Sequence, residues 1–321
     1  MSEPETPTRI GVGLVELPFR EVRSLWEWVD LCEGGGIDGI WHCDRLIARD
    51  PYMECLTLLA AVAGRTQRLR VGTDVVVVPF RDPLVLAKQC ATLDVLSGGR
   101  FQAGFGVGPP GAPEWAATGR TLERRGARTD EAIAIMQQLW TGEPVTFAGE
   151  FFQYADAVIT PAPVQAPLPI WIGGRSDAAV RRLARVGSGW FAGLATAAQI
   201  VPVIEAIRRV SAEHGRPVPP QNLGAEFAFH VGTTDDPAVQ HSLAAVRAFT
   251  ELDPRELVAV GSVEDIVARI EAFRAVGVRT FALRPLAATD RGVIDQTRRL
   301  IEEVLPRYHG AAGVASTPPP R

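Results

Sequence analysis

The sequence predicts an α/β fold of the (β/α)8 type, a TIM barrel with short insertions. Short β-rich runs alternate with amphipathic helical segments, and eight such strand–helix units can be counted along the chain. The length of 321 residues suits one barrel of this kind. Apolar residues form 46% of the chain and charged residues 22%, as expected for a globular protein with a large core.

The first half of the chain contains four predicted strands and the helices that follow them. The glycines at 34–36 end the first helix, because glycine readily adopts the left-handed conformation at a helix C-terminus. Consecutive valines indicate that strand three is buried on both faces, and Pro83 suits the first turn of the next helix. The predicted strands are 10–15, 37–43, 69–78 and 101–107, and the predicted helices are 22–32, 53–63, 83–96 and 122–140.

The second half continues the alternation after a small hairpin at 145–154, which is predicted to be an insertion rather than a barrel strand. Ser262, with Asp265 three residues later, suits the N-cap of an additional helix before strand eight. The predicted strands are 169–172, 189–192, 225–231 and 279–283, and the predicted helices are 177–186, 197–214, 237–252, a segment from 262, and 293–305.

We expect residues 9–309 to form a single barrel between a disordered lead, 1–8, and a disordered tail, 310–321. The alternative fold is an open doubly wound sheet. That fold would normally carry a glycine-rich fingerprint after strand one, but the residues there are Glu16, Leu17, Pro18 and Phe19.

Composition and missing motifs exclude several functional classes. The net charge is −4 without a basic stripe, which argues against a nucleic-acid partner. No apolar run has transmembrane length and the N-terminus is not a secretory signal, so we expect a cytoplasmic protein without a membrane partner. The histidines lack metal-binding spacing, and neither a GxSxG nor a P-loop motif occurs. We therefore predict no metal site. The cysteines form no CxxC pair and are interpreted as reduced core thiols: Cys32, Cys43, Cys55 and Cys90.

Polar residues at the carboxyl ends of the predicted strands are the candidate site residues, because barrel enzymes take their catalytic groups from these ends. Asp44 and Arg45 follow strand two and are either an active-site pair or a solvated ion pair. Asp74 interrupts the apolar strand three. It either points into the barrel mouth or is turned outward by a bulge.

Two further strand ends suggest anion or ring binding. The glycines of 104–111, after strand four, allow a planar ring or a phosphate to approach the backbone closely. After strand five, Gly173, Gly174, Arg175 and Ser176 enter a helix whose free N–H groups can bind a phosphate, although Ser176 can equally act as an N-cap. Arg284, after strand eight, either binds an anionic group or pairs with a nearby acid.

Three segments resemble the luciferase-like monooxygenase superfamily: VGTDVVVVPFRDPLVLAKQCATLDVLSGGRFQAGFGVG (71–108), PAPVQAPLPIWIGGRS (161–176) and GSGW (187–190). The resemblance implies a (β/α)8 barrel, usually a homodimer, that binds coenzyme F420 or FMN. It also implies hydride transfer to or from, or oxygenation of, a small organic substrate. The cofactor ring would lie in the barrel mouth, in front of a non-proline cis peptide. The residues that match the cofactor-binding positions of the family are Asp74 and Val75 at that peptide, Val107 and Gly108 beside the ring, and Gly173, Gly174 and Ser176 at the phosphate.

The sequence departs from the resemblance at the expected acid–base groups. Deazaflavin-dependent members commonly have Asp-His after strand two, where this chain has Asp44-Arg45, and some have a Glu where Pro109 stands here. A guanidinium is a poor proton shuttle at neutral pH, so Arg45 is expected to stabilise an anion or to bind substrate.

Three hypotheses follow from the resemblance. The first is an oxidoreductase that uses coenzyme F420 or FMN, with F420 favoured because the composition, rich in Ala, Arg and Val, resembles that of actinobacterial proteins. The second is an FMN-dependent two-component monooxygenase that works with a separate flavin reductase. The third is a non-catalytic flavin-binding barrel.

Overall fold

The computed structural model describes residues 6–247 and 250–308. The predicted tail at 310–321 and the first five residues of the predicted lead at 1–8 lie outside these ranges. The strands in chain order are β1 (Arg9–Leu14), β2 (Gly39–His42), β3 (Arg70–Thr73), β4 (Val76–Val77), β5 (Phe101–Gly106), β6 (Val145–Ala148), β7 (Gln153–Ala157), β8 (Ile170–Gly173), β9 (Gly189–Phe191), β10 (Leu223–Val231), β11 (Val258–Gly261) and β12 (Thr280–Pro285).

Helices follow the barrel strands, as the alternating hydrophobic pattern predicts. No helix within the described ranges is both long and apolar enough to cross a membrane. The α-helices are α1 (Val22–Gly34), α2 (Cys55–Arg65), α3 (Pro83–Ser97), α4 (Glu114–Ala117), α5 (Arg125–Leu139), α6 (Asp177–Val186), α7 (Ala197–Glu213), α8 (Pro237–Arg247), α9 (Val263–Ala275) and α10 (Asp290–Arg299).

Parallel strands close on themselves and confirm the predicted (β/α)8 barrel. The hydrogen-bonded order is β1, β2, β3, β5, β8, β9, β10, β12 and back to β1. The last strand pairs with the first from Arg9 opposite Thr280 to Val12 opposite Leu283. The antiparallel hairpin of β6 and β7 forms a separate sheet.

Strand three is shorter than predicted. The run 69–78 is divided into β3 and β4 by a cis peptide bond between Asp74 and Val75. A 3-10 turn, Val78–Phe80, follows directly. Its Pro79 has no N–H to donate to a strand ladder, which limits how far β4 can extend. Prediction of one continuous strand from the valine run was therefore wrong.

An additional strand, β11, was not predicted. It pairs with the last residues of β10, from Ala228 opposite Val258 to Val231 opposite Gly261, while β9 pairs with the first residues of β10. The four residues VAVG are too short for their periodicity to distinguish a strand from a loop. The helix predicted at 237–252 is also too long, because α8 ends at Arg247 and residues 250–253 are not helical; 248–249 lie outside the described ranges.

The closing helix also differs from its prediction at 293–305. α10 begins earlier, at Asp290, with Thr289 as its N-cap accepting from the Gly292 N–H. It then passes into a π-helical turn, Leu300–Val304, and a 3-10 turn that contains Pro306. Proline cannot donate the next helical hydrogen bond, which accounts for the irregular end.

Large aromatic side chains fill the interior of the barrel below its mouth. Trp41, Trp171 and Phe191 have ring centroids 4.7–5.3 Å apart and are 0–1% exposed. We call these three residues the aromatic layer. Glycines on neighbouring strands make room for it. A Cβ added to Gly72 would lie 2.3 Å from the Trp41 ring, and a Cβ added to Gly189 would lie 2.4 Å from the Trp171 ring. The layer is therefore a packed plug, as in other filled barrels.

Replacing Gly72 by alanine should lower the free energy of unfolding by about 1–3 kcal/mol, because the new Cβ overlaps the enclosed Trp41 ring. Gly64→Ala is the control. Gly64 lies in α2 with open space around it, so alanine there should raise stability by up to about 1 kcal/mol. Urea unfolding followed by tryptophan fluorescence measures both variants. A Gly72→Ala protein as stable as the wild type would contradict this packing.

Candidate active site

A cavity of about 870 Å³ opens at the carboxyl ends of β1, β2, β10 and β12. The chain after β1, the loop after β2, helix α8 and residues 284–288 line it. At its rim, Glu16, Asp50 and His241 come from three of these segments, and their polar atoms lie within 4.8 Å of one another. The cavity occupies the end of the barrel at which barrel enzymes hold their substrates.

Three charged side chains lie one step above the aromatic layer. Asp74 follows Gly72 by two positions, Glu226 follows Gly224, and Arg284 follows Ala282, which packs in the aromatic layer. Side chains two positions apart on a strand share a face, so all three project into the barrel. We call Asp74, Glu226 and Arg284 the polar layer. Gly13 permits it, since a Cβ there would lie 3.1 Å from Cγ of Arg284.

Burial and neighbouring charges shift the pKa values of Asp74 and Arg284 in the polar layer. Burial raises the pKa of Asp74 well above its usual range, and the charge of Glu226 raises it further, whereas Arg284 acts in the opposite direction. Burial lowers the pKa of Arg284, but the neighbouring Glu226 and Cys43 outweigh burial and the net shift is upward. Arg284 is therefore a cation beside the carboxyl groups of Asp74 and Glu226.

Asp44 forms a buried ion pair with Arg81. Its side chain is 1% exposed, Oδ1 accepts from Nη2 of Arg81 at 2.8 Å, and Oδ2 accepts from Nη1 of Arg81 and from the Val77 N–H at 2.9 Å. Nη2 of Arg81 also donates to Glu54 at 2.9 Å. Asp44 therefore fixes the chain around β4. Both oxygens of Asp44 accept hydrogen bonds within the protein. The sequence alternatives were an active-site pair or a solvated ion pair with Arg45, and neither of them includes the partner Arg81.

Arg45, the other member of the predicted pair, is exposed on the cavity wall near Tyr52. Burial and the adjacent Cys43 raise the pKa of the Tyr52 phenol, while the Arg45 charge lowers it by a smaller amount. Tyr52 stacks on His42, with centroids 5.2 Å apart. Both ring nitrogens of His42 face carbonyl oxygens, Nδ1 that of Leu14 and Nε2 that of Met53, so this ring ties the loop after β2 to β1.

Val75, beyond the cis peptide, is surrounded by glycines of the neighbouring strands. A Cβ added to Gly106 would lie 2.7 Å from Cγ2 of Val75, and a Cβ added to Gly173 would lie 3.0 Å from the same atom. The structure thus brings predicted residues of strands three and five together. Gly108 has φ +77°, and a Cβ there would lie 2.7 Å from Cγ1 of Val77, so Val107 and Gly108 follow the same side of the barrel.

The turn after β8 begins helix α6. Gly174 has φ +111°, its N–H donates to the Phe191 carbonyl at 3.3 Å, and its own carbonyl accepts from Nε1 of Trp190 at 2.7 Å. The Ser176 hydroxyl oxygen accepts from the Ala179 N–H at 3.3 Å as the N-cap. Arg175 is exposed and donates to the Leu194 carbonyl at 2.6 Å. Ser176 is therefore an N-cap, which leaves the first backbone N–H groups of α6 available to an anion.

The predicted site residues fall into two groups. Asp44, Arg45 and Arg284 line the cavity, whereas Val75, Val107, Gly108 and the turn 173–176 lie along β3, β5 and β8 outside its lining. Asp74 belongs to the polar layer, on the mouth-facing side of the aromatic layer. Sequence analysis missed Glu226. A single acid at an inward-facing position of an otherwise apolar strand was the available signal.

A family model described as luciferase-like monooxygenase matches residues 5–280. An uncharacterized protein of Mycobacterium tuberculosis is 38% identical over 58% of this chain and 61% of its own length. The F420-dependent glucose-6-phosphate dehydrogenase of Amycolatopsis mediterranei is 33% identical over 52% of each chain. The oxygenase component of the flavin-dependent trigonelline monooxygenase of Acinetobacter baylyi is 32% identical over 46% of this chain and 43% of its own length. The chain thus matches between two fifths and about three fifths of these curated relatives.

The whole described fold has a close counterpart among solved structures. A monooxygenase from Streptomyces bottropensis superimposes with a TM-score of 0.80 over 94% of this chain and 99% of that chain, at 22% identity. At this identity, the likeness establishes the fold.

Asp44→Asn should lower the free energy of unfolding by about 3 kcal/mol, because it leaves Arg81 half-paired in a site where its side chain is 11% exposed. Asp30→Asn is the control. Asp30 pairs with Arg65 on the surface, where the loss should stay below about 1 kcal/mol. Chemical denaturation measures both. Equal losses in the two variants would contradict a structural role for the Asp44–Arg81 pair.

Proposed function

Because the chain belongs to the luciferase-like monooxygenase family, we propose that it is an oxidoreductase that binds coenzyme F420 or FMN. It would transfer hydride to or from a small organic substrate, or oxygenate it. The observation that carries the proposal is the cavity above the polar layer, where charged groups meet a space of about 870 Å³ at the catalytic end of the barrel.

The residues present fit such a cofactor. Gly106 and Gly173 leave room for the Val75 side chain, which lies 2.7–3.0 Å from the position of a Cβ on either glycine, so Val75 would present its apolar side chain to a flat ring. The N-terminus of α6, with Gly174 in the left-handed region and Arg175 beside it, suits a phosphate. When bound, the cofactor would supply the hydride or oxygen chemistry. Asp74, Val75, Val107, Gly108, Gly173, Gly174, Arg175 and Ser176 would hold it.

The cavity residues would handle the substrate. Arg284 is a partly buried cation on the cavity wall and would bind an anionic or strongly polar substrate group. Arg45 is exposed on the wall of the cavity and would bind or stabilise negative charge without exchanging a proton. Asp44 would act indirectly, since its pairing with Arg81 positions the loop that carries Arg45.

We place coenzyme F420 first, on the similarity to an F420-dependent dehydrogenase. An FMN-dependent monooxygenase with a separate flavin reductase is the second candidate, favoured by the similarity to the oxygenase component of a flavin-dependent monooxygenase. A non-catalytic flavin-binding barrel is the alternative of another class. In each case we expect a homodimer, which light scattering tests.

Titration of the purified protein with F420 and with FMN separates these functions. We expect F420 to bind and, in its reduced form, to be oxidised by a carbonyl or alkene from a substrate panel. FMN binding with substrate oxygenation in the presence of a flavin reductase would favour the second candidate. Binding without turnover on any panel would favour the third, and failure of both cofactors to bind would reject the proposal.

Gly174→Asp should abolish cofactor binding, because a carboxylate at the start of α6 opposes the phosphate. Gly174→Asn is the control, since it has the same shape and the same strain at φ +111° but no charge. Fluorescence titration of the cofactor measures both affinities, and circular dichroism checks folding. Unchanged affinity in the Asp variant, or equal loss in both folded variants, would refute an electrostatic phosphate site.

A further inference from the structure

We propose that Asp74 and Glu226 form an acid pair that holds one exchangeable proton, and that Glu226 passes it to or takes it from the oxygen of a substrate in the cavity. The inference rests on the proposed function, because it names the proton donor and acceptor for the same site. Glu226 is the catalytic member, since it lines the cavity, and Asp74 is the positioning member behind it.

The balance of charges in the polar layer favours a retained proton. It contains two carboxyl groups and one guanidinium, so full ionisation would leave an unbalanced negative charge in the barrel interior. Two further groups interact electrostatically with the polar layer: Cys43, directly after β2, and Glu16, in the chain after β1. Neither of them carries a positive charge. Arg284 can therefore balance one carboxylate, and the second carboxyl group is most stable when protonated.

Unsatisfied polar atoms show that the layer is not a closed structural network. Oδ2 of Asp74 and Nε of Arg284 are buried and have no hydrogen-bond partner within the described residues. Buried polar groups are normally paired, and leaving one unpaired costs about 1–3 kcal/mol. By contrast, both oxygens of Asp44 are fully used by Arg81 and the Val77 N–H. Free bonding capacity is therefore present in the polar layer, where Glu226 and Arg284 meet the cavity.

The other titratable groups on the cavity wall are less suited to this role. Arg45 carries a guanidinium, which has donors and no acceptor and is therefore a poor proton shuttle. Burial raises the pKa of Tyr52 and of Cys43, so both stay protonated near neutral pH. His241 stands at the exposed rim beside Glu16 and Asp50. The carboxyl pair is the group at the inner end of the cavity that can both give and accept a proton.

The step balances in either direction. In reduction, a hydride from a reduced deazaflavin bonds to a carbonyl carbon and the π pair moves to oxygen. The new O–H bond forms as the carboxyl O–H breaks, which leaves both carboxyl groups ionised until a proton enters from solvent. In oxidation, the pair accepts the hydroxyl proton as the hydride leaves carbon for an oxidised deazaflavin. Arg284 stabilises the negative charge on the substrate oxygen throughout.

Infrared spectroscopy of the full-length protein over a pH titration tests the pair without substrate or cofactor. We expect the C=O stretch of a protonated carboxyl group to persist at about pH 6, far above the ordinary pKa of aspartic acid. Asp74→Asn should remove this band. Glu213→Gln, an exposed member of an ion pair with Arg209 on α7, should retain it. A wild-type spectrum without the band would overturn the proposal.

Stability provides a second readout with a definite sign. The pKa of Asp74 is raised by folding, so its protonated form stabilises the native state at low pH, and this contribution is lost as pH rises from about 4 towards the raised value. The melting temperature of Asp74→Asn should therefore increase relative to wild type as pH rises over that range. A constant difference would show that Asp74 titrates normally and would overturn the pair.

Turnover with reduced F420 and a panel of ketones and aldehydes tests the catalytic role. Glu226→Gln should slow hydride transfer about 100-fold or more at unchanged F420 affinity, and Asp74→Asn should shift the pH profile. If wild type reduces no carbonyl, carbonyl reduction is excluded from the proposed function, while the infrared result still decides the pair. An active enzyme whose Glu226→Gln variant transfers hydride at the wild-type rate would overturn the catalytic role of Glu226.

Discussion

Packing of aromatic rings against glycine backbone inside the barrel is the constraint on which the rest of this structure depends. Trp41 and Trp171 are too large for a barrel lined by ordinary side chains, and Gly72 and Gly189 on the adjacent strands accommodate them. Gly224 on the next strand accommodates the Phe191 ring in the same way. Because the rings fill the lower interior, the polar residues on β10, on β12 and directly after β3 lie above them at the mouth. The aromatic layer therefore sets the floor of the cavity and the height of the polar layer.

The buried charged side chains at the mouth form two different arrangements, the Asp44–Arg81 ion pair and the polar layer. At Asp44 and Arg81, one carboxylate meets one guanidinium, and each oxygen of Asp44 has a donor. In the polar layer, Asp74 and Glu226 compete for Arg284, and the excess carboxyl group retains a proton. The first arrangement holds the loop after β2 in place. The second leaves polar groups free to interact with a molecule in the cavity, which is what an active site requires.

The two groups of predicted residues suit two different tasks. The apolar side chain of Val75, which packs on Gly106 and Gly173, and the free N–H groups at the start of α6 suit a cofactor ring and its phosphate. The opposite side offers Arg45, Glu226 and Arg284, which suit a polar substrate. Arg45 stands where the resemblance to deazaflavin-dependent members leads us to expect a histidine. A carboxyl pair supplied by β3 and β10 would restore the proton transfer that Arg45 cannot perform.

Local patterns in the sequence determined the barrel and its strand ends. Alternation of β-rich and helical runs gave the eight strands, because burial periodicity follows directly from backbone geometry. The same patterns identified Asp74 and Arg284 as polar residues at strand ends, and the turn 173–176 as a helix start. They could not detect β11, since four residues carry no distinct period. The valine run did not indicate the division of strand three either; only the family resemblance pointed to the cis peptide between Asp74 and Val75.

Only the tertiary structure decided which charged groups meet. Arg81 is 37 residues from Asp44 and Glu226 is 152 residues from Asp74, so no local pattern relates them. Barrel closure brings β3, β10 and β12 around one interior, and burial there decides which carboxyl group keeps its proton. Sequence determined the elements because their periodicity is local. The chemistry of the mouth depends on distances across the barrel, and these exist only once the strands have closed.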